Sequence, residues 1–149
     1  MKKRGIAIVS FLSLIISGCS DKCIEGKQPV PASFFVEIID ATSEENVFTN
    51  ETFSANDITV TDVIGTEIPF EFVEEVNIIH LLPKTTINAR NIDLKITLNN
   101  QTTLIEEEVN LKYNVESKVE ECYTSFEFSN ILFPENDSQY EEGVFIVKI

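Results

Sequence analysis

The stretch Ile92-Asp93-Leu94-Lys95-Ile96-Thr97-Leu98 decides the fold class, because apolar and polar residues alternate strictly along it. Alternation with a period of two places all its apolar side chains on one face of a β-strand. The same pattern returns at residues 109–115, where Val, Leu, Tyr and Val alternate with polar residues. No segment keeps a helical period of 3.6 residues over ten positions. The sequence therefore predicts an all-β fold.

Further strands are predicted on both sides of this pair. Phe34 to Ile39 is almost entirely apolar, which is typical of a strand with both faces covered. Without helical crossovers, parallel neighbours are hard to connect, so the sheets should be antiparallel. We expect a two-sheet sandwich of immunoglobulin-like or transthyretin-like type, with a small β-barrel as the alternative. About eight strands are predicted, at residues 34–39, 58–60, 68–72, 76–82, 92–98, 109–115, 122–128 and 145–149.

Two turns are predicted from local residues. Val63-Ile64-Gly65-Thr66 should close a hairpin between the strands at 58–60 and 68–72. Asn99-Asn100 tolerates positive φ and should give a tight turn after Leu98.

The run Glu106-Glu107-Glu108 breaks the alternation before Val109. Either Glu107 faces inward near an open end, or a β-bulge resets the register there. Because an inward carboxylate is costly, the bulge is favoured.

The first nineteen residues, MKKRGIAIVSFLSLIISGC, combine three basic residues with a short apolar stretch from Gly5 to Ser17. This stretch is too short to cross a bilayer, which takes about 20 apolar residues, and it is typical of an export signal. Ile16-Ser17-Gly18-Cys19 resembles the lipobox of bacterial lipoproteins. The resemblance implies a signal peptide at residues 1–18 and lipidation of Cys19, with palmitate as a typical acyl group. A lipidated tether at 19–33 and a single β-sandwich domain at 34–149 would follow.

Two further likenesses concern location. Ser20 directly after the lipobox cysteine resembles lipoproteins that are forwarded to the outer membrane of Gram-negative bacteria. Residues 34–40, 46–50 and 57–62 are similar to segments of small uncharacterised envelope lipoproteins of the Bacteroidota. This likeness implies a lipid-anchored protein that faces the periplasm or the cell surface, and it carries no known activity.

Two cysteines remain, Cys23 and Cys122. In an oxidising compartment they are predicted to form a disulfide. The bridge would fix the start of the tether to the strand near Cys122. Two unpaired thiols, or a bond from Cys23 to another molecule, are the alternatives.

The charge of the chain excludes one class of partner. Without the three basic residues of the signal, eight Lys and Arg stand against 25 Asp and Glu, a formal charge of −17. Such a surface repels nucleic acid, so no nucleic-acid partner is expected. It also gains no attraction to anionic lipid, so membrane attachment must rest on the acyl chains.

No catalytic residue, metal site or cofactor is predicted. His80, the single histidine, lies in an apolar run and is interpreted as structural. Glycine is scarce after the signal, which disfavours oxyanion holes and phosphate-binding loops. The recurrent acidic pairs are interpreted as a solvated rim. Calcium at Glu135, Asn136 and Asp137 is the alternative for these oxygen ligands.

The expected function is a non-enzymatic binding or structural module, anchored to the envelope by its lipid. Strand edges or end loops would contact a protein or glycan partner. One alternative is an acidic inhibitor of a cationic enzyme such as lysozyme, which the charge favours. The other is a carbohydrate-binding or carbohydrate-active surface protein, although the chain has no Trp to form a sugar platform.

Overall fold

The alternating stretch at 92–98 lies in the middle of a four-stranded sheet, as its period predicts. The structure, a computed structural model, describes residues 30–149. Nine strands and one short 3-10 helix at Ala55–Asp57 occur in these residues. The strands are β1 (Phe34–Ile39), β2 (Ile58–Asp62), β3 (Phe70–Val73), β4 (Ile78–Leu81), β5 (Ala89–Asn100), β6 (Ile105–Val119), β7 (Thr124–Leu132), β8 (Ser138–Glu141) and β9 (Val144–Lys148).

The strands form two sheets that pack face to face. The five-stranded sheet has the order β3-β4-β1-β9-β8, and the four-stranded sheet has the order β2-β5-β6-β7. The sheets remain separate and do not close, so the all-β two-sheet sandwich is confirmed and the barrel alternative is not.

The core lies between the sheets and contains the apolar side chains that alternation turns inward. In the four-stranded sheet, Ile96, Leu98 and Leu111 are completely buried, and in the five-stranded sheet Ile38 and Leu81 are too. Burial of one such side chain contributes about 1.5–3 kcal/mol. The period-two pattern is thus the source of the cohesion between the sheets.

Aromatic rings join the two sheets at one end of the core. The Phe34 ring lies 6.0 Å from Tyr113 and 5.6 Å from Phe128, measured between ring centroids. Phe145, on the neighbouring strand, lies 6.2 Å from Phe34. Burial raises the pKa of the Tyr113 hydroxyl. Offset and edge-on rings at such distances add attraction beyond their buried area.

One strand pair departs from the antiparallel prediction. β1 and β9 run parallel, with Phe35 beside Val144 and Ile39 beside Lys148. The prediction failed because it considered only short connections between neighbours in sequence. Here the whole intervening domain connects the two strands, so no short crossover is needed.

The predicted hairpin between residues 58–60 and 68–72 forms only in part. The turn is present, since the Asp62 N–H donates to the Thr66 carbonyl at 3.0 Å and Gly65 has a φ of 83°. The Ile68 N–H still donates to the Val60 carbonyl. After Pro69, which has no N–H to offer, the chain crosses to the other sheet. β3 therefore pairs with β4, whereas β2 pairs with β5.

The turn after β5 forms beside the Asn99-Asn100 pair rather than at it. β5 continues through Asn100, and the turn occupies residues 101–104. Leu104 holds the positive φ, at 60°. The Asn100 side-chain oxygen instead accepts the N–H groups of Thr102 and Thr103, at 3.0 and 3.1 Å.

The bulge predicted at Glu106–Glu108 is wrong. Pairing continues without interruption there, with Glu107 opposite the buried Leu98. Glu107 is exposed because it lies near the open end of the sheet, where its carboxylate reaches water. The irregular registers occur elsewhere, between Ala89 and Ile92 and between Lys112 and Asn114.

The long connection from β1 to β2 is organised by Asn46. Its amide nitrogen donates to Glu37 Oε1 at 3.2 Å and to the Asn77 carbonyl at 2.9 Å. Its amide oxygen accepts the N–H of Phe48 at 2.9 Å and of Thr49 at 3.2 Å. These bonds hold the turn that places the Phe48 ring in the core.

We predict that Asn46→Ala lowers the free energy of unfolding by about 2 kcal/mol, because partly buried polar groups lose their partners. Urea unfolding of both proteins measures the difference. Asn50→Ala is the control, since the exposed Asn50 side chain accepts a single N–H, from Thr52. Equal stability losses in the two variants would contradict a special role of Asn46.

Candidate functional site

Strand directions gather a group of loops at the end where the chain enters β1. β1 and β9 begin there and, because β4 and β1 are antiparallel, β4 ends there. The same reasoning places the end of β6 and the start of β7 at this end. We call it the tether end; it comprises residues 30–33, 62–69, 82–88, 120–123 and 142–143.

Of the three predicted cysteine sites, the structure places one. Cys122 lies in the turn between β6 and β7 at the tether end, where the Glu120 N–H donates to the Tyr123 carbonyl at 2.9 Å. Cys19, Cys23 and the predicted signal peptide fall outside the described residues. Lipidation and the disulfide therefore stay predictions.

A cleft of about 410 Å³ opens at the tether end. Three segments line it: the entry to β1, the exit from β4 and the first residues of β7. Pro83 is buried, Leu82 and Phe126 are half-buried, and Lys84 is exposed. The lining residues are Val30, Pro31, Ala32, Leu82, Pro83, Lys84, Thr85, Thr86, Thr124, Ser125 and Phe126.

The facing of the side chains on β7 explains why this cleft is apolar. Thr124, Phe126 and Phe128 alternate on one face of β7 and pair with the inward-facing side of β6. Phe128 packs on the aromatic cluster, whereas Phe126 is nearer the open end. On β6, Val119 lies on the same side and is 81% exposed. The inward-facing row of β7 thus runs from the core at Phe128 to the cleft at Phe126.

The outer faces of the two sheets differ in character. The four-stranded sheet presents charged pairs, such as Lys95 and Glu108 at 2.6 Å and Lys112 and Asp93 at 2.9 Å. Exposed pairs of this kind contribute less than about 1 kcal/mol each. The five-stranded sheet instead presents half-buried apolar residues on its outer face, namely Phe35, Val73, Ile78, Val144 and Ile146.

His80 lies on this apolar outer face. Its ring stacks on Phe35 with centroids 4.3 Å apart, and Nδ1 lies 3.6 Å from Glu71 Oε2. The side chain is 19% exposed, and its buried Nε2 has no hydrogen-bond partner among the described residues. The observed contacts are those of a packed ring.

The candidate calcium ligands at 135–137 form hydrogen bonds with neighbouring strands. Glu135 Oε2 accepts the Asn110 side-chain amide at 2.8 Å, and the Asn136 amide donates to the Lys148 carbonyl at 3.0 Å. The Asp137 carbonyl accepts the Lys148 N–H. These bonds attach the β7–β8 loop to its neighbours. Within residues 30–149, no three His, Cys, Asp or Glu side chains are grouped closely enough to hold a metal ion.

Two loop carboxylates have perturbed acidity. The Ser43 N–H, which donates to Asp40 at 2.6 Å, lowers the pKa of Asp40 most, and Thr42 adds to the effect. The Thr66 N–H has the same effect on the pKa of Asp62. Both carboxylates are exposed and cap turns, so their role is to shape loops.

Comparison with known proteins adds no relative: no protein-family profile, curated protein or solved structure matches this chain. Over residues 30–149 there is also no helix with the length and hydropathy needed to span a membrane.

The cleft is the feature that sequence reasoning missed. Its walls come from segments near residues 31, 83 and 125, which no local pattern connects. The available signal was weak: Leu82 ends one predicted strand and is followed by Pro83, and Phe126 lies within another.

Proposed function

We propose that this chain is a lipid-anchored protein of the outer membrane of a Gram-negative bacterium, whose β-sandwich is a non-enzymatic binding or structural module. The observation that carries the proposal is the lipobox-like sequence ending at Cys19. Cys19 lies eleven residues before Val30, the first residue that the structure describes. The chain then enters β1, which lies in the middle of the five-stranded sheet.

The geometry supports a defined orientation on the membrane. The tether leads into one end of the sandwich, so the loops at the opposite end would face away from the lipid. These are the connections at 40–57, 74–77, 101–104 and 133–137. Loops on a rigid scaffold commonly supply contact surfaces. The apolar outer face of the five-stranded sheet is a second surface available to a protein or glycan partner.

We predict that Cys19→Ala abolishes incorporation of labelled palmitate and leaves the signal peptide attached, because the thiol that carries the lipid is gone. Labelling of cells, followed by membrane fractionation and intact mass measurement, tests this. Cys122→Ala is the matched control and should still be labelled. Palmitate incorporation in Cys19→Ala equal to that of the unmodified protein would refute lipidation at this position.

The proposed Cys23–Cys122 disulfide is supported by the position of Cys122 at the tether end. A bridge there would attach the tether to the β6–β7 turn and close a loop of about 100 residues, which in the chain-entropy model stabilises by up to about 4.7 kcal/mol.

We predict that Cys23→Ser and Cys122→Ser each abolish the bridge and lower the melting temperature, with no further loss in the double variant. Non-reducing peptide mapping and thermal unfolding with and without reductant measure both effects. Additive stability losses in the double variant, or a free thiol at Cys122 in the unmodified protein, would contradict the pairing.

The charge supports a second candidate function, inhibition of a cationic enzyme such as lysozyme. In residues 30–149, four of the six basic side chains are already in ion pairs, so acidic groups dominate the surface. We predict that such binding weakens steeply as salt rises, because exposed charges are screened. Titration of lysozyme at low and high ionic strength tests it. Affinity that does not change with salt, or no binding, would remove this candidate.

A further inference from the structure

We propose that the cleft at the tether end binds a long-chain fatty acid, with its acyl chain between the sheets and its carboxylate at Lys84. Neither the lipid anchor nor the disulfide is needed for this proposal. It rests on the apolar lining, the position of the cleft between the two sheets and Lys84 at its rim.

The apolar lining indicates what the interior of the cleft accepts. Six of its eleven lining residues are apolar, namely Val30, Pro31, Ala32, Leu82, Pro83 and Phe126. The volume of about 410 Å³ falls within the range of small-ligand sites. Each methylene transferred there from water adds to the affinity, so a chain of many methylenes can bind firmly.

The position of the cleft favours a narrow, unbranched ligand. It opens between residues of both sheets, since Leu82 follows β4 and Phe126 belongs to β7. Packed sheets lie only about 10 Å apart, and side chains fill that gap. An acyl chain in the cleft continues the row of inward-facing side chains beyond Phe128, where Phe126 is half-buried and lines the cleft.

Lys84 at the rim indicates an anionic headgroup. Lys95, Lys112, Lys118 and Lys148 each form an ion pair within residues 30–149, whereas Lys84 and Arg90 form none there. Of these two, Lys84 lines the cleft and Arg90 does not. In so acidic a chain, an anion is repelled from most of the surface and finds its counter-charge at this position. Thr86 and Thr124 also line the cleft, and their hydroxyl groups can donate to a carboxylate, whereas the Thr85 hydroxyl donates to the Ile87 carbonyl at 3.2 Å.

The test uses the purified full chain in phosphatidylcholine vesicles and a palmitate analogue that carries a photoreactive diazirine. After irradiation, mass spectrometry locates the modified residues. We expect saturable modification within 82–86 and 124–126, and unlabelled palmitate should compete with it.

Two variants fill the cleft from exposed positions, which keeps the fold intact. Thr86→Trp and Thr124→Trp should each reduce labelling by about tenfold, because the indole occupies the volume of the acyl chain. Thr124→Ser is the matched control and should label like the unmodified protein. Far-UV circular dichroism and thermal unfolding verify that all three variants fold.

The headgroup is tested separately. Lys84→Gln should weaken labelling by the palmitate probe about fivefold and leave labelling by its methyl ester unchanged, because the ester has no charge to lose. Arg90→Gln removes an equal charge outside the cleft and is the control.

Three results would overturn the proposal. One is labelling that does not saturate or that spreads to exposed apolar residues at the opposite end, such as Leu104. The second is undiminished labelling in Thr124→Trp. The third is a Lys84→Gln protein that binds the acid as well as the unmodified chain does, which would remove the assignment of the carboxylate.

Discussion

The strand β1 is the constraint on which the rest of the structure depends. It hydrogen-bonds to β4 on one side and to β9 on the other, so the five-stranded sheet has no continuity without it. Its inward-facing residues Phe34, Val36 and Ile38 are buried against the four-stranded sheet. Glu37, on its outer face, receives the hydrogen bond from Asn46 that orders the long connection to β2. β1 thus connects β4 to β9 within its own sheet, packs against the four-stranded sheet and holds the connection to β2 in place.

The sequence predicts the fold class and most strands because binary alternation is a local signal. The stretch at 92–98 and the apolar run at 34–39 both became strands, and the stretch at 92–98 has the expected inward face. Predictions that depend on partners distant in sequence did worse. The transfer of residues 70–73 to the other sheet follows from Pro69 and from the core space that Phe72 fills, and neither is visible as a period. The uninterrupted strand pairing at Glu107 depends on how close that residue lies to the edge of the molecule.

The candidate functional sites also fall into two groups: those that adjacent residues predict and those that require the three-dimensional fold. A cysteine that follows an export signal can be recognised from adjacent residues, so Cys19 is a prediction of sequence alone. The cleft, in contrast, needs the relative positions of three segments, among them residues 83 and 126. His80 illustrates both groups. Its placement in an apolar run indicated packing, but its stacking on Phe35 required the register between β1 and β4.

The parallel pairing of β1 with β9 delays completion of the sandwich until the last strand is available. The first strand of the domain acquires its second neighbour only after Val144 to Lys148 have been synthesised. Until then the five-stranded sheet is interrupted at its centre, and contacts of such long sequence separation form slowly. The sandwich therefore stays incomplete for as long as these last residues are missing.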